Sequence, residues 1–323
     1  MISEYLKNIR NSDIAYLSKA ITLIESSRES DKIKASELLH ACLPYANNSV
    51  RIGITGVPGV GKSTFIEAFG SYLTSLGKKV AVLAIDPSST LNKGSILGDK
   101  TRMEKLSKNK NAFIRPSPAG DTLGGVARKT RETITLCEAA GFDVILIETV
   151  GVGQSETLVH AMVDFFLLLK VTGTGDELQG IKRGIMEMTD AIVINKADGD
   201  NIKNANFAKT EFSRALHLYP QKENNWIPKV TTCSSLHNKG IIEVWNILEE
   251  FLRLTKSNNW FDKNRINQNI NWLKQNINQQ LLDDFYMDEA VKVELKKQIQ
   301  DMEKQQTTPF EASQKMINFY KKM

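Results

Sequence analysis

Gly56-Val57-Pro58-Gly59-Val60-Gly61-Lys62-Ser63 is the stretch on which the reading of this chain turns. Its spacing, a glycine, four residues, then Gly-Lys-Ser, is that of a P-loop that cradles phosphate oxygens. The apolar run Arg51-Ile52-Gly53-Ile54-Thr55 before it reads as a strand, and Thr64, Phe65, Ile66, Ala68 and Phe69 after it read as an opening amphipathic helix. Gly56, Gly59 and Gly61 let the backbone turn successive N–H groups inward. The N-terminus of the following helix adds partial positive charge. In such a loop Lys62 reaches the β- and γ-phosphates and the Ser63 hydroxyl ligates Mg²⁺, while Gly59, Val60, Gly61 and Thr64 complete the cradle. A glycine-rich turn that happens to precede a helix is the plain alternative, and the strand–loop–helix context argues against it.

The base is read further along. Asp190-Ala191-Ile192-Val193-Ile194 is a short apolar strand that runs into Asn195-Lys196-Ala197-Asp198. Asp198 can accept from guanine N1–H and from its exocyclic amine, while Asn195 supports the loop and the O6/N7 edge. Adenine has no matching pair of donors, and a buried carboxylate left unpaired is costly. Four residues alone would be a weak signal. At a strand end, downstream of a phosphate loop, they select GTP over ATP.

Composition agrees. With 323 residues, 41% of them hydrophobic, the chain can bury one large core with helical additions. A net charge of +5 with interspersed signs offers no basic arm for nucleic acid. No apolar run approaches membrane-spanning length, and the polar start Met1–Asp13 reads as neither a signal nor a transit peptide, so the sequence predicts a cytoplasmic protein. Cys42, Cys137 and Cys233 stand alone, which suits neither a disulfide framework nor a CxxC metal site.

Three regions follow. Residues 1–48 carry helical apolar spacing at Ile14, Leu17, Ala20, Ile21 and Ile24, then Ile33, Leu38 and Leu39, and predict an N-terminal helical extension. Residues 49–256 alternate apolar runs with helical stretches, the pattern of an α/β fold with a mainly parallel sheet covered by helices. Its expected strands include 51–55, 79–85, 143–148, 164–171, 190–195 and about 227–232. Residues 257–323 predict a C-terminal helical arm, with apolar positions at Ile266, Ile270, Leu273, Ile277 and Leu281, then Val291, Val293 and Ile299. Those are too sparse for a core of their own, so the arm is expected to pack on the core or on a second subunit.

Polar residues at strand ends supply the remaining chemistry. Asp86 follows the strand Val80–Ile85 and is a candidate Mg²⁺ or water-positioning carboxylate at the ligand-binding edge of the sheet. A cap before Pro87 is its ordinary alternative. Glu148-Thr149-Val150-Gly151 ends another strand, where Ras-like GTPases carry DxxG; Glu148 replaces the aspartate and Gly151 is kept. The next position, which holds a water-orienting glutamine in Ras-like proteins, is Val152, and Gln154 lies two residues beyond. Valine cannot orient a water or stabilise developing charge, so slow hydrolysis completed by another loop or a partner is expected. The glycine-containing, charged segments 94–102 and 173–182 are the candidate loops.

Taken together, AIDPSS, GSILGDKTRM, RPSP, TLGGVARKTRE, ETVGVGQSE, MVDFFLLL, GDELQGIKRGIMEMTDAIVINKAD and TCSS resemble the MeaB/ArgK family of P-loop GTPases. Members are G-protein chaperones of adenosylcobalamin-dependent methylmalonyl-CoA mutase and related acyl-CoA mutases. The resemblance runs from Leu17 to about Leu254. It implies a phosphate and Mg²⁺ site of Lys62, Ser63, Asp86, Asp99 and Glu148. It makes 95–102 and 149–156 the first two switches and 171–182 a third, with Lys182 the candidate catalytic charge. Cys233-Ser234-Ser235 becomes the loop that closes over guanine, and the C-terminal arm a homodimerisation element.

Two stretches depart from the family pattern: Asn92-Lys93-Gly94 stands where a Gly-Gly pair is common, and Val171-Thr172-Gly173-Thr174 lacks a usual proline. The first borders the 95–102 switch and the second lies in the 171–182 switch, so they bear on partner choice. An ATP-dependent kinase linked to amino-acid transport conflicts with the guanine reader. A metal-delivery GTPase would need clustered ligands, whereas His40, His160, His217 and His237 are scattered. No DxHxxG cobalamin-binding segment occurs, so cobalamin is expected on the partner.

Overall fold

Seven parallel strands form one sheet in the order β3-β2-β4-β1-β5-β6-β7. The computed structural model describes residues 1–26, 28–85, 103–116, 123–149, 155–173 and 183–322. The strands are β1 (Val50–Thr55), β2 (Val80–Ile85), β3 (Ala112–Arg115), β4 (Val144–Thr149), β5 (Phe165–Lys170), β6 (Ala191–Ile194) and β7 (Lys229–Thr232). Six match the expected apolar runs. β3 was not foreseen: it is four residues long, lies at the sheet edge beside β2, and emerges from the polar run Lys108–Asn111.

Period-two alternation explains how both faces are filled. Ile52 and Ile54 of β1, Val80 and Val82 of β2, Val144 and Leu146 of β4, and Phe165, Leu167 and Leu169 of β5 share one cluster. Phe65 and Phe69 of the helix Lys62–Ser75 and Trp245, Leu248 and Phe251 of the helix Ile241–Ser257 cover it. Phe65 and Phe69 stack with centroids 5.4 Å apart, and Phe251 meets Phe165 edge-on at 5.0 Å. Truncating either buried ring to alanine would cost about 3–5 kcal/mol.

The alternate residues Ala81, Leu83, Ile145, Ile147 and Phe166 share a second cluster with the helix Leu123–Ala139, and Phe166 lies beside Val159 and His160. Leu17, Ala20, Ile21, Ile24 and Leu38 of the N-terminal helices Ile14–Glu25 and Glu29–Cys42 join the same cluster. Ile14 and Ile33 from the expected apolar stripe are instead exposed. Beyond the sheet centre, Ile192 and Ile194 pack on Ala205, Ala208 and Phe212 of the helix Ile202–Leu216. At the N-terminal ends of the strands, Arg51 forks onto the buried Glu138 at 2.9 and 3.0 Å, and Ser49 donates to the same carboxylate at 2.7 Å.

The chain divides into two compact units, Met1–Asp262 and Lys263–Met323. In the second, the helices Glu289–Glu303 and Pro309–Tyr320 bury Val291, Ala312 and Met316, and Phe285 meets Tyr320 edge-on at 5.1 Å. The tail therefore has a small core where the sparse spacing suggested none. Asp288 and Thr308 cap its last two helices by accepting backbone N–H bonds.

Candidate nucleotide-binding site

β1 ends at Thr55, and the chain turns through Gly56–Gly61 into the helix Lys62–Ser75. Gly61 caps this helix at φ 93°, and a Cβ there would stand 2.8 Å from the Asn195 side-chain nitrogen. Glycine meets both requirements. Lys62 is buried at the first helical position and donates to the Gly56 carbonyl oxygen at 2.8 Å. Burial pulls its ammonium pKa below the ordinary 10.5, while Glu148 and Glu156 pull it upward. Ser63 is half-buried and Thr64 exposed. Val60 sinks its side chain into the core, so its contribution to the loop is backbone: its N–H donates to the Val57 carbonyl at 3.3 Å.

Beyond β6, Asn195 and Lys196 reach across to the phosphate loop. The Asn195 amide donates to the Val60 carbonyl at 2.9 Å, and the Lys196 ammonium to the Gly59 carbonyl at 2.8 Å. Lys196 holds φ 59°, a left-handed conformation that turns the chain at the strand end. Asn195 Oδ1 accepts from the Ser235 hydroxyl at 2.8 Å, the Ser235 N–H at 3.2 Å and the Cys233 thiol at 3.3 Å. Burial pushes the Cys233 pKa up to about 12, which keeps the thiol protonated as a donor at neutral pH. Ser234 donates its hydroxyl to the Asp198 carboxylate, fixing its rotation.

The loop that carries these serines is itself pinned. Cys233 N–H donates to the Ile194 carbonyl and its carbonyl accepts from Ala197 N–H, both at 2.9 Å. Ser234 and Lys239 exchange backbone bonds at 2.9 and 3.1 Å. Gly240, at φ 76°, closes the turn where a Cβ would collide with the Thr232 carbonyl oxygen. The Asn195–Asp198 loop, the Cys233–Ser235 loop and the phosphate loop thus form one hydrogen-bonded assembly. Asn195 is at its centre, a link that the motif alone did not reveal.

Glu148 and Thr149 end β4 beside β1, with Glu148 in register with Ile54. Glu148 therefore lies on the sheet edge that carries the phosphate loop, within electrostatic reach of Lys62. Glu156, buried on the helix Ser155–His160, acts on Lys62 as well and was not singled out from sequence. Asp86, Asp99, Gly151 and Lys182, with Val152 and Gln154, lie outside the described residues. Among the described residues no helix is long and apolar enough to cross a membrane.

Comparison with known proteins agrees with this geometry. Residues 17–290 match the family model described as methylmalonyl Co-A mutase-associated GTPase MeaB. A probable GTPase of Mycobacterium tuberculosis is 51% identical over 284 residues, covering 88% of this chain and 84% of that protein. GTPase ArgK of Escherichia coli is 46% identical over 288 residues, covering 89% and 87%. The mouse protein named methylmalonic aciduria type A homolog, mitochondrial, is 46% identical over 281 residues, covering 84% and 68%. A solved structure described as the LAO/AO transport system kinase superposes with a TM-score of 0.79 at 37% identity, covering 99% of this chain and 97% of the other. A family model matched over residues 17–290, with relatives of this identity and coverage, shows that the chain belongs to the MeaB family of methylmalonyl-CoA mutase-associated GTPases.

Proposed function

We propose that this GTPase serves as a chaperone for an adenosylcobalamin-dependent acyl-CoA mutase, in the first place methylmalonyl-CoA mutase, assisting cofactor loading and protection. The observation that carries this reading is the extent of the family match. It spans residues 17–290, from the second N-terminal helix through all seven strands and into the C-terminal helices. The mouse relative, whose name ties it to methylmalonic aciduria, supports the same partner. The kinase reading is disfavoured by Asp198 and Ser234, whose pairing suits a guanine edge.

Mg²⁺ fits the residues on the phosphate-loop edge. It takes hard oxygen donors, keeps several waters and needs only one or two protein groups besides phosphate oxygens. Ser63 on the first helical turn and Glu148 at the end of β4 are such donors. Asp86 and Asp99 are further ligands by family resemblance. The ion would neutralise charge developing on the phosphates. Lys62 would add its own charge at the β/γ oxygens, and the loop backbone would orient them. With Val152 in the glutamine position, basal hydrolysis is slow and Lys182 or a partner group completes the site.

The stripe Ile266, Ile270, Leu273, Ile277 and Leu281, each 45–59% exposed along the helix Trp260–Met287, supports pairing with a second copy. The chaperone role is tested by following inactivation of the cobalamin-loaded mutase during turnover. Slower inactivation with this protein and GTP is the expected result; identical decay with and without it contradicts the reading.

A further inference from the structure

We propose that Thr55 and Thr149 form a positioning pair that sets the catalytic edge, holding the phosphate loop and the Glu148 strand end in fixed register. The inference rests on the GTPase assignment and goes beyond its motif residues. Thr149 donates its hydroxyl to the Thr55 hydroxyl at 2.9 Å, and both residues are 1% exposed. They sit on adjacent parallel strands, each one residue past the registered pair Ile54 and Glu148.

Their surroundings make the pair unusual. By strand alternation the two hydroxyls lie on the sheet face that carries Ile145, Ile147 and Phe166, with Val159 packed over it. Valine at both positions would fill the same space without needing a hydrogen bond, and replacing both partners of a buried bond by apolar groups is often nearly neutral for stability. Stability alone therefore does not account for two hydroxyls here. Position does. Thr55 precedes Gly56, whose carbonyl oxygen receives the Lys62 ammonium, and Thr149 follows Glu148. One bond thus joins the backbone that places Lys62 to the backbone that places the metal-side carboxylate. A displacement of either group by a fraction of an ångström affects transition-state contacts more than ground-state binding.

The test compares Thr149→Val, Thr149→Ser, Thr55→Val and the double Thr55→Val/Thr149→Val variant in the full chain. Thr149→Val should lower kcat for GTP hydrolysis about 5- to 20-fold with KM for GTP little changed; its melting temperature should fall because the buried Thr55 hydroxyl loses its partner, whereas the double valine variant should regain the melting temperature and keep the kcat loss. Thr149→Ser, which keeps the donor, should recover most of the rate. The double variant should be no slower than either single valine variant, because one bond is removed in each case. A second readout is release of a fluorescent GDP analogue with Mg²⁺ and after chelation. The slowing of release by Mg²⁺ should shrink in the valine variants and persist in Thr149→Ser. An unchanged kcat and unchanged Mg²⁺ effect in Thr149→Val, or equal losses in the serine and valine variants, would overturn the proposal. Loss of nucleotide binding in the wild type would instead overturn the GTPase reading.

Discussion

Asn195 donates its side-chain amide to the Val60 carbonyl oxygen at 2.9 Å, joining the Asn195–Asp198 loop to the phosphate loop across 135 positions of sequence. The same side chain accepts from Ser235 and Cys233, so it connects three loops at once. Asn195→Ala would leave those buried partners without their bonds, at about 1–3 kcal/mol for each group not reached by water. Nucleotide affinity should fall at least about tenfold and the melting temperature should drop. Gly61→Ala should do similar harm, because its Cβ would press on the same nitrogen. Titration with a fluorescent GDP analogue checks both, and wild-type affinity in either variant would contradict the assembly.

The proposed guanine reader is the Asp198 carboxylate, which accepts from the Ser234 hydroxyl. Asp198→Asn replaces one acceptor with a donor and should weaken GTP binding by about 100-fold while improving xanthine nucleotide binding. Competition titrations of GTP, XTP and ATP measure it. Equal binding of ATP and GTP by the wild type would contradict the assignment.

The phosphate-loop edge of the sheet was legible because its motifs are local, whereas Asp86, Asp99, Gly151 and Lys182 lie outside the described residues. Six strands announced themselves as apolar runs, and the phosphate loop and Asn195–Asp198 motif stand at their ends in the structure. β3 was not legible: four residues at a sheet edge give too few alternations to rise above polar surroundings. The Thr55–Thr149 bond and the Asn195 hub depend on strand order and loop packing, which single motifs do not encode. The N-terminal helices were readable as helices, whereas their place in the core of the first unit required the sheet face they cover. The C-terminal core was missed for a different reason. Its burial comes from Val291, Ala312 and Met316 on two separate helices and not from a continuous apolar stripe.

His160 supplies a pH dependence. It lies edge-on to Phe166 at 5.5 Å, and burial lowers its pKa below the ordinary 6.5. Asp190 opposes that shift and Lys222 adds to it. The unfolded chain binds the proton more readily, so stability is retained above about pH 6.5 and lost as pH falls through the lowered folded value. His160→Gln should flatten this part of the stability curve, leaving the carboxylate losses at lower pH. Denaturant unfolding at pH 7.5 and 5.5 measures the difference; an equal drop in wild type and variant would contradict it.

Ending the chain after Asp262 should abolish self-association, because the exposed stripe from Ile266 to Leu281 is removed. Guanine nucleotide binding should persist, since the phosphate loop and both base loops lie in the first unit. Sedimentation at micromolar concentration gives the answer. A monomeric full-length protein would contradict the pairing proposal.

Single-turnover GTP hydrolysis with and without methylmalonyl-CoA mutase tests the central claim most directly. With Val152 where Ras-like proteins carry a water-orienting glutamine, the proposed basal site is short of one transition-state contact, and supplying such a contact raises rates by orders of magnitude. The mutase should accelerate hydrolysis at least about tenfold, and Lys182→Ala should keep the basal rate while losing most of that gain. Equal rates with and without the mutase, or full activation of the Lys182→Ala variant, would contradict the account.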